Sequence, residues 1–347
     1  MTGAPPVVVS YAGVLGGAER VLLDCATRLG EPVLVACPDG ALSAAVWAAG
    51  LEHARLPERT LRLGPAHARG LGALAREIRM LVERRRPSAV VAWGDRVLLA
   101  AVPARRRAPL LAGHMDLLPR PSVRAAVRWA SRQAAGVVAA SEAIASAVRA
   151  PRATILRPGV DLDRWTPAPA PEGGPRALVL AALAPWKRQD LALEVAARVP
   201  ELQLELAGAS LPGTPGDYVR RLHTRAAAPD VAGRVTFLGA VADPREALAR
   251  AHCLLHCSDE EPWGLVLVEA MAAGRPVVAA DAGGPREIVS GGAGRLFAPG
   301  DAGAAAAALR AVLADPAAPG AARARAERFP VEATAAAFKQ ALDAVRS

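Results

Sequence analysis

The chain has 347 residues and a formal net charge of +9, with 52% apolar but only 3% aromatic residues. This length and apolar content are sufficient for two domains of ordinary size. No uncharged apolar run reaches the ~18 residues of a membrane-spanning helix, and MTGAPPVVVS at the N-terminus does not resemble a secretory signal. Four cysteines are too few for a disulfide framework. We therefore expect a cytoplasmic protein.

The positive charge is concentrated in the first half of the sequence. Residues 1–165 contain 23 arginines and 13 acidic residues, whereas residues 166–347 contain 19 basic and 20 acidic residues. A basic half can contact nucleic acid, an anionic membrane or a phosphorylated small molecule. It can equally be a solvated, arginine-rich surface.

Short apolar runs alternate with helical patterns in the first half. Helices are predicted over 16–30 and 71–86, the second with an apolar face that includes Leu74, Ile78 and Leu81. The predicted strands are VVVS (7–10), PVLVAC (32–37), AVVAW (89–93), PLLAG (109–113), GVVAAS (136–141) and TILRPG (154–159).

The alternation restarts after the Pro- and Gly-rich segment 161–176, which has the composition of a linker. Predicted helices begin near 187, 216, 244 and 264, and alanine-rich helices run from 302 to the end. The predicted strands are ALVLAAL (177–183), LQLELAG (202–208), RVTFLG (234–239), CLLHCS (253–258) and PVVAA (276–280).

Two such alternating runs predict an α/β protein with two Rossmann-like, doubly wound parallel-sheet domains facing a cleft. We place an N-terminal domain at 1–163 and a C-terminal domain at 164–330. The helix 331–347 is expected to pack back on the N-terminal domain. Ligands of such sheets bind at the carboxyl ends of the strands, so the cleft is the expected site.

GGAER (16–20) places Gly16 and Gly17 between a predicted strand and a helix N-terminus. Glycines there let the backbone approach a ligand closely, and the free N–H groups of the first helical turn attract anions. The alternative explanation is a turn that needs positive φ.

AHCLLHCS (251–258) combines His252, Cys253, His256 and Cys257. One interpretation is a metal site. The other, which we prefer, is a buried strand with its cysteines on one face, because cysteine is commonly buried as a small hydrophobic residue.

SDEEPWGLVLVEAMAAGRPVVAADAGGPREIV (258–289) carries the strongest signal. Glu261 follows a predicted strand, and seven residues separate it from Glu269. A helix begins at Gly264, so the amides of Gly264, Leu265 and Val266 face a prospective anion. Glu269, just over one turn into this helix, can accept paired hydrogen bonds from the two hydroxyls of a ribose.

This segment resembles the signature of the family-4 retaining glycosyltransferases (glycosyltransferase group 1), which have the GT-B fold. The shared pattern is two glutamates separated by seven residues, an Ala-Gly-x-Pro-Val-Val strand and a Gly-Gly-Pro-x-Glu turn. GGAER, RPGVDLDRW (157–165) and WKRQDLALE (186–194) fit the family as well. The resemblance therefore extends from end to end of the chain.

The resemblance implies roles for the residues that bind the donor. Lys187, one of only two lysines in the chain, matches the lysine that holds the diphosphate of a nucleotide-sugar. The arginine usual five residues earlier is replaced by Ala182, so Arg188 or another arginine would supply the second phosphate contact. Glu269 would bind the ribose, and Gly16 and Gly17 would lie over the phosphates.

The resemblance also implies residues at the reacting sugar. Glu261 would hydrogen-bond to hydroxyls of the donor sugar near the reacting carbon. His114, in GHMD after a predicted strand, matches a family histidine that faces this sugar; the alternative is a structural histidine at a strand end. The base would lie near FLGAV (237–241), held mainly by backbone groups.

The implied reaction moves a hexosyl group from a UDP- or GDP-sugar to a hydroxyl acceptor, with retention of anomeric configuration. The acceptor would be a glycolipid, a polysaccharide precursor or a natural product. No Asp-x-Asp motif occurs, so neither a metal nor another cofactor is expected. The leaving phosphate would take the acceptor's proton on the same face, and double displacement through Glu261 is the rival route.

Two other functions compete with this interpretation. The basic N-terminal half suggests a nucleic-acid-binding protein, although the sequence contains few aromatic residues and no nucleic-acid module, so we expect no nucleic-acid partner. A sugar-nucleotide epimerase or a phosphorylase would keep the fold and change the chemistry. The basic clusters ERRRP (83–87) and ARRRA (104–108) are candidates for peripheral contact with an anionic membrane, such as the inner face of the plasma membrane.

Overall fold

A computed structural model describes residues 4–58, 68–117, 121–211 and 213–347. The chain forms two compact units. The first runs to Pro158 and takes in Val331–Ser347, and the second comprises Gly159–Pro330. Each unit is a parallel sheet with helices packed around it, so the two α/β sheets predicted from the alternation of elements are confirmed.

In the first unit, the strands are β1 (Val7–Ser10), β2 (Leu34–Cys37), β3 (Glu52–Arg55), β4 (Val90–Trp93), β5 (Leu110–His114), β6 (Gly136–Ala139) and β7 (Thr154–Ile155). The helices that connect them are α1 (Gly17–Thr27), α2 (Ala41–Ala48), α3 (Ala68–Arg85), α4 (Asp95–Ala101), α5 (Pro121–Ser131) and α6 (Glu142–Val148). The seven described strands are ordered β3-β2-β1-β4-β5-β6-β7. The central strands β1, β2, β4 and β5 are buried along their whole length, as expected for a sheet covered on both faces.

In the second unit, the strands are β8 (Arg176–Leu180), β9 (Gln203–Ala207), β10 (Val235–Gly239), β11 (Cys253–His256), β12 (Val277–Ala280) and β13 (Gly294–Phe297). The helices are α7 (Gln189–Arg198), α8 (Gly216–Ala226), α9 (Pro244–Ala249), α10 (Leu265–Ala272), α11 (Pro285–Ile288), α12 (Ala302–Leu313) and α13 (Ala318–Ala326). The six described strands are ordered β10-β9-β8-β11-β12-β13. β11 and β12 are neighbours, so the loops that follow them meet at the carboxyl edge of the sheet.

The sequence reading missed the edge strands β3 and β13. Strand β3 has the sequence EHAR, and its residues are exposed or partly exposed. Strand β13 has the sequence GRLF, of which only Phe297 is buried. An edge strand with so few apolar side chains gives no apolar run to detect.

The segment 161–176, which has a linker's composition, is packed against the second unit. Trp165 is buried, and its carbonyl accepts a hydrogen bond from Arg323 Nη1 at 2.6 Å. Arg275 is also buried, and its Nη2 donates to the carbonyl of Pro169 at 2.5 Å. These contacts make the proline-rich segment part of the domain surface.

The C-terminal helix α14 (Val331–Arg346) packs on α1 and on strand β6 of the first unit. The ring of Phe338, 1% exposed, meets the Trp93 ring edge-on with centroids 5.9 Å apart. At the end of the helix, Arg346 Nη1 lies 2.6 Å from Glu31 Oε1. No helix among the described residues is long and apolar enough to cross a bilayer.

Truncating Phe338 tests the contribution of α14 to the first unit. Phe338→Ala leaves a cavity between α14 and Trp93, and such truncations cost about 3–5 kcal/mol. Denaturant unfolding should show a loss of this order, whereas Lys339→Ala on the exposed face of α14 should change little. Equal unfolding free energies for the two variants would contradict this packing.

Candidate active site

The loop after strand β11 carries Glu261, and the neighbouring loop after β12 fixes its backbone. The Glu261 N–H donates to the carbonyl of Ala282 at 3.0 Å, and the Gly284 N–H donates to the carbonyl of Glu261 at 2.9 Å. A Cβ added to Gly284 would lie 2.4 Å from the Cα of Trp263. The GGPRE turn therefore lets two loops approach closely enough to hold Glu261 in place.

Lys187 lies in the 3-10 turn Pro185–Lys187 that precedes helix α7. The Asp259 N–H donates to the carbonyl of Trp186 at 3.0 Å, which joins this turn to the Glu261 loop. Lys187 Nζ donates to Glu261 Oε2 at 2.7 Å and lies 4.0 Å from the centroid of the Trp186 ring. The ammonium is thus held by a carboxylate and an aromatic face together.

His256, at the carboxyl end of strand β11, is the third member of this cluster. Its Nε2 lies 2.8 Å from Glu261 Oε2, the same oxygen that binds Lys187. His256 is 3% exposed and Glu261 is 7% exposed. No described residue hydrogen-bonds to the other carboxylate oxygen, Oε1, so this oxygen retains its hydrogen-bonding capacity for a ligand.

The charge state of Glu261 is set by these partners. Burial alone would raise its pKa, but the Lys187 charge and the His256 hydrogen bond outweigh burial and lower the pKa to about 2. Glu261 is therefore ionised at neutral pH, as an anion next to a cation in a largely dry site.

Helix α10 begins beside this cluster. Its N-cap Gly264 has φ +104°, and an added Cβ would lie 2.9 Å from Leu267 Cδ1, so only glycine fits. The first-turn amides, including those of Leu265 and Val266, have no acceptor within the helix and form an anion-binding end. Glu269 lies one turn further along α10 and is 7% exposed.

The Arg188 guanidinium forms ion pairs with two acidic side chains. Its Nη1 lies 2.7 Å from Asp259 Oδ1, and its Nε lies 3.1 Å from Asp190 Oδ2. Its backbone, at φ +52°, is in the left-handed region where the 3-10 turn passes into α7. These contacts favour a role in bracing the loops over the expected role as a second diphosphate contact. At the Ala182 position, the backbone carbonyl accepts from Gln189 Nε2 at 2.8 Å.

The turn explanation for Gly16 and Gly17 does not hold. Gly16 is the N-cap of α1 at φ −93°, and Gly17 is the first residue of the helix. The Gly16 N–H donates to Glu19 Oε2 at 3.1 Å, and a Cβ on Gly17 would meet no atom within 4 Å. Neither glycine serves a left-handed backbone, and a Cβ added to Gly16 would lie 3.0 Å from Glu19 Oε2. The place of both glycines over the donor phosphates stays a prediction.

The surroundings of His114 favour the structural alternative. His114 ends strand β5 and has no exposed surface. Its Nδ1 lies 2.6 Å from Asp95 Oδ1, and its Nε2 lies 3.0 Å from Ser131 Oγ. Both ring nitrogens are engaged within the first unit, so the side chain fits a structural histidine at a strand end, and its contact with the donor sugar stays a prediction.

The cysteines of strand β11 are core residues. Cys253, Leu255 and Cys257 belong to the same buried cluster, as the strand interpretation predicts. Burial raises the pKa of the Cys253 thiol to about 12. Within the described ranges, no three His, Cys, Asp or Glu side chains form a group that could hold a metal ion.

Sequence reasoning did not assign a role to His256 or Trp186. His256 was considered only as part of a metal site, although its place at a strand end five residues before Glu261 was a usable signal. Trp186 carries no signal beyond its place next to Lys187 in the sequence. Their contacts depend on how the loop after β11 and the turn before α7 fold, which spacing alone does not reveal.

Acidification tests the ionised state of Glu261. Because its folded-state pKa of about 2 lies below the ordinary 4.5, ionised Glu261 stabilises the fold above pH 4.5 and this contribution is lost as the pH falls toward 2. In urea unfolding between about pH 6 and pH 3, wild type should lose a few kcal/mol more than Glu261→Gln. Parallel pH profiles would show that the carboxylate is not stabilised in the fold.

Two family models together match most of the chain. The model of Glycosyltransferase Family 4 matches residues 15–164, and that of Glycosyl transferases group 1 matches residues 166–329. The chain is 37% identical over 185 residues to a D-inositol 3-phosphate glycosyltransferase of Geodermatophilus obscurus, covering 47% of this chain and 40% of that protein. It is 35% identical over 170 residues to a phosphatidyl-myo-inositol mannosyltransferase of Mycolicibacterium smegmatis, covering 45% and 42%. The chain thus spans about two fifths of the length of these curated relatives.

Solved structures match over nearly the whole chain. A crystal structure of Anabaena HepE in complex with UDP and glucose is 26% identical, with a TM-score of 0.85 and coverage of 98% of this chain and 99% of that chain. WaaG, a glycosyltransferase involved in lipopolysaccharide biosynthesis, shares the fold at 18% identity, with a TM-score of 0.74 and coverage of 96% and 98%. These structures confirm the GT-B fold, and with the family models they show that the chain belongs to the group 1 glycosyltransferases of family 4.

Proposed function

We propose that this chain transfers a hexosyl group from a nucleotide-sugar to a hydroxyl acceptor, with retention of configuration and without a bound metal. The observation that carries the proposal is the cluster of Lys187, Glu261 and His256 beside the N-terminus of α10. It provides a cation and backbone amides for a departing diphosphate, and a carboxylate for the sugar that it leaves behind.

The leaving diphosphate competes with Glu261 for Lys187. In the described structure the ammonium is bound to Glu261 Oε2, and the guanidinium of Arg188 is bound to Asp259 and Asp190. The positive charges beside the site are therefore already paired with carboxylates. We infer that the diphosphate draws Lys187 away from Glu261 and binds at the first-turn amides of α10.

Glu261 then faces the donor sugar. His256 continues to hold Oε2, and Oε1 accepts hydrogen bonds from sugar hydroxyls next to the carbon that becomes oxocarbenium-like. With Oε2 held by His256 and Oε1 engaged by sugar hydroxyls, neither carboxylate oxygen is free to attack the anomeric carbon. This arrangement favours attack by the acceptor on the face from which the diphosphate departs, with the leaving phosphate taking the acceptor's proton. It disfavours double displacement through Glu261.

Glu269 completes donor binding by accepting hydrogen bonds from the ribose hydroxyls. Its place one turn beyond the diphosphate-binding amides matches the separation of ribose and diphosphate in a nucleotide. The base would lie near residues 237–241, where the Phe237 ring packs on the His223 ring at a centroid distance of 4.1 Å.

We propose UDP-sugars as the first donors to test, because HepE at 26% identity was solved with UDP and with UDP-glucose. A GDP-sugar is the second choice, since a GDP-mannose-dependent mannosyltransferase of M. smegmatis is 33% identical over 187 residues. The relatives include enzymes named for inositol phosphate, phosphatidylinositol and glycogen chemistry. A hydroxyl acceptor is common to these substrates, and a cytoplasmic reaction fits the cytosolic supply of nucleotide-sugars.

Calorimetric titration of UDP, GDP and ADP in EDTA tests the donor class and metal independence together. One nucleotide should bind with much higher affinity than the other two. Its sugar conjugate should then be consumed when an acceptor is present. The anomeric configuration of the product, read by NMR, tests retention. Binding that requires added metal would overturn metal independence, and full conversion of the donor without any acceptor would favour an epimerase.

Two substitutions at the ion pair should have opposite effects on nucleotide affinity. Lys187→Met removes the cation and should weaken binding of the nucleoside diphosphate on the order of tenfold or more. Glu261→Gln removes the competitor for Lys187 and should tighten binding severalfold while reducing transfer. Calorimetry measures the affinities, and a coupled assay measures transfer. Weaker nucleotide binding in Glu261→Gln would contradict the proposed competition.

Substitution of His256 should separate turnover from nucleotide affinity. His256→Leu frees Glu261 to reorient and should lower kcat about 10- to 100-fold, the effect expected for losing one hydrogen bond to a charged group. His256→Gln keeps an N–H donor and should restore much of kcat. His252→Gln, at the other end of β11, is the control. Equal kcat in wild type and His256→Leu, or failure of His256→Gln to rescue a reduced kcat, would contradict the positioning role.

A further inference from the structure

Trp186 presents much of its indole ring to solvent beside Lys187 and Glu261. It is 44% exposed, whereas the other tryptophans of the second unit, Trp165 and Trp263, are buried. The Trp186 Nε1–H donates to no acceptor among the described residues. An exposed aromatic face with an unused hydrogen-bond donor, next to charged groups assigned to the reaction, indicates a surface that a ligand contacts.

The backbone that carries this indole is fixed. Trp186 lies in the middle of the 3-10 turn Pro185–Lys187, in which the Lys187 N–H donates to the carbonyl of Ala184 at 2.9 Å. The Asp259 N–H donates to the carbonyl of Trp186 at 3.0 Å and ties the turn to the loop of Glu261. A ring on such a backbone loses little freedom when it binds a ligand.

At rest the Lys187 ammonium contacts the ring. Its Nζ lies 4.0 Å from the centroid of the Trp186 ring and 2.7 Å from Glu261 Oε2. A cation–π contact at an exposed ring is weaker than a charge-assisted hydrogen bond to a diphosphate. A diphosphate that draws Lys187 away from Glu261 therefore uncovers the Trp186 ring at the same time.

We propose that the uncovered Trp186 ring is the platform on which a sugar or cyclitol ring of the acceptor packs, and that donor binding makes this platform available. This role rests on the proposed function and specifies its acceptor, as a molecule whose reacting hydroxyl is carried by a six-membered polyol ring. One face of such a ring presents C–H groups that pack on indole. Its rim presents hydroxyls, one of which would accept from the Trp186 Nε1–H.

The surroundings of Trp186 favour a polyol ring over an acyl chain. The side chains of the same network are charged: Lys187 is paired with Glu261, and Arg188 with Asp259. An acyl chain beside these groups would remove water from them without supplying hydrogen bonds. The hydroxyls of a sugar replace that water while its C–H face covers the indole.

The contacts of Trp186 also disfavour the donor's base as its ligand. The ring shares the Lys187 ammonium with Glu261, the carboxylate assigned to the donor sugar. The ribose is assigned to Glu269 and the base to residues 237–241. Trp186 is thus associated with the sugar end of the donor, where the acceptor hydroxyl must approach the reacting carbon.

Saturation-transfer NMR of the full chain tests the platform, with methyl α-glucopyranoside and myo-inositol as ring probes. The donor site is first filled with the 2-deoxy-2-fluoro analogue of the nucleotide-sugar that calorimetry selects. At least one ring probe should then bind, with transfer strongest at the C–H protons of one ring face. Glycerol, an open-chain polyol, should not bind, and the ring probe should bind far more weakly without nucleotide.

Substitution of Trp186 should weaken probe binding without weakening nucleotide binding. Trp186→Leu removes the ring and should lower affinity for the ring probe about fivefold or more, the effect of losing roughly one aromatic contact. Trp186→Phe should retain much of that affinity. Both variants should bind the nucleoside diphosphate at least as tightly as wild type, because the ring competes for Lys187. Trp47→Leu, at a tryptophan 62% exposed on α2 of the first unit, is the control and should resemble wild type.

A double variant tests whether Lys187 controls access to the ring. Lys187→Ala combined with Glu261→Gln removes the ammonium and its partner charge together, so no unpaired charge is left in the site. Without nucleotide, this variant should bind the ring probe about threefold or more tightly than wild type does, the effect of releasing the ring from one cation–π contact. Circular dichroism confirms folding of each variant.

Several outcomes would overturn the proposal. These are no binding of either ring probe to the loaded chain, glycerol binding like the ring probes, equal probe affinity in wild type and Trp186→Leu, and no gain in the double variant. Weaker nucleotide binding in Trp186→Leu would make the ring a contact of the nucleotide. A probe that binds beside UDP but is displaced by the fluoro analogue would assign the platform to the donor sugar.

Nucleotide binding by the wild type separates this proposal from the proposed function. Intact binding alongside any of those outcomes would overturn the Trp186 platform alone. Failure of every nucleotide to bind would overturn both.

Discussion

The buried ion pair between Lys187 and Glu261 is the constraint on which the rest of the site depends. An ionised carboxylate and an ammonium that are mostly removed from water persist only when each is paired and hydrogen-bonded. His256 shares the carboxylate, Trp186 covers the ammonium, and two backbone hydrogen bonds to the next loop fix Glu261. At rest the two charges of the pair offset each other.

The parallel sheet explains how distant residues come to share one oxygen atom. Strands β11 and β12 end at the same edge, and the glycines after β12 allow its loop to lie against the backbone of residues 261–263. Helix α10 begins directly after the loop that carries Glu261. Its first-turn amides, the Glu261 carboxylate and the Lys187 ammonium therefore lie close together. Under the proposed function, the anion-binding end of the helix and the Lys187 ammonium would together stabilise a leaving diphosphate.

Much of the fold and the start of helix α10 could be predicted from the sequence, because both depend on patterns among neighbouring residues. The alternation of apolar runs with helical patterns gave both sheets, and the spacing of Glu261 and Glu269 around Gly264 predicted the start of α10. The partners of each charged group could not be read in this way. Arg188 is bound to Asp259, 71 residues away, and His114 is enclosed by Asp95 and Ser131. Edge strands β3 and β13 are mostly not buried and lack the continuous apolar run that marks a buried strand.

A crystal structure of the chain with UDP tests the central claim most directly. The account predicts that Lys187 Nζ leaves Glu261 and lies within hydrogen-bond distance of a diphosphate oxygen, while His256 stays on Glu261 Oε2. The diphosphate should lie at the first turn of α10, with the ribose hydroxyls on Glu269. A complex in which Lys187 remains bound to Glu261 and the diphosphate is held elsewhere would contradict the account.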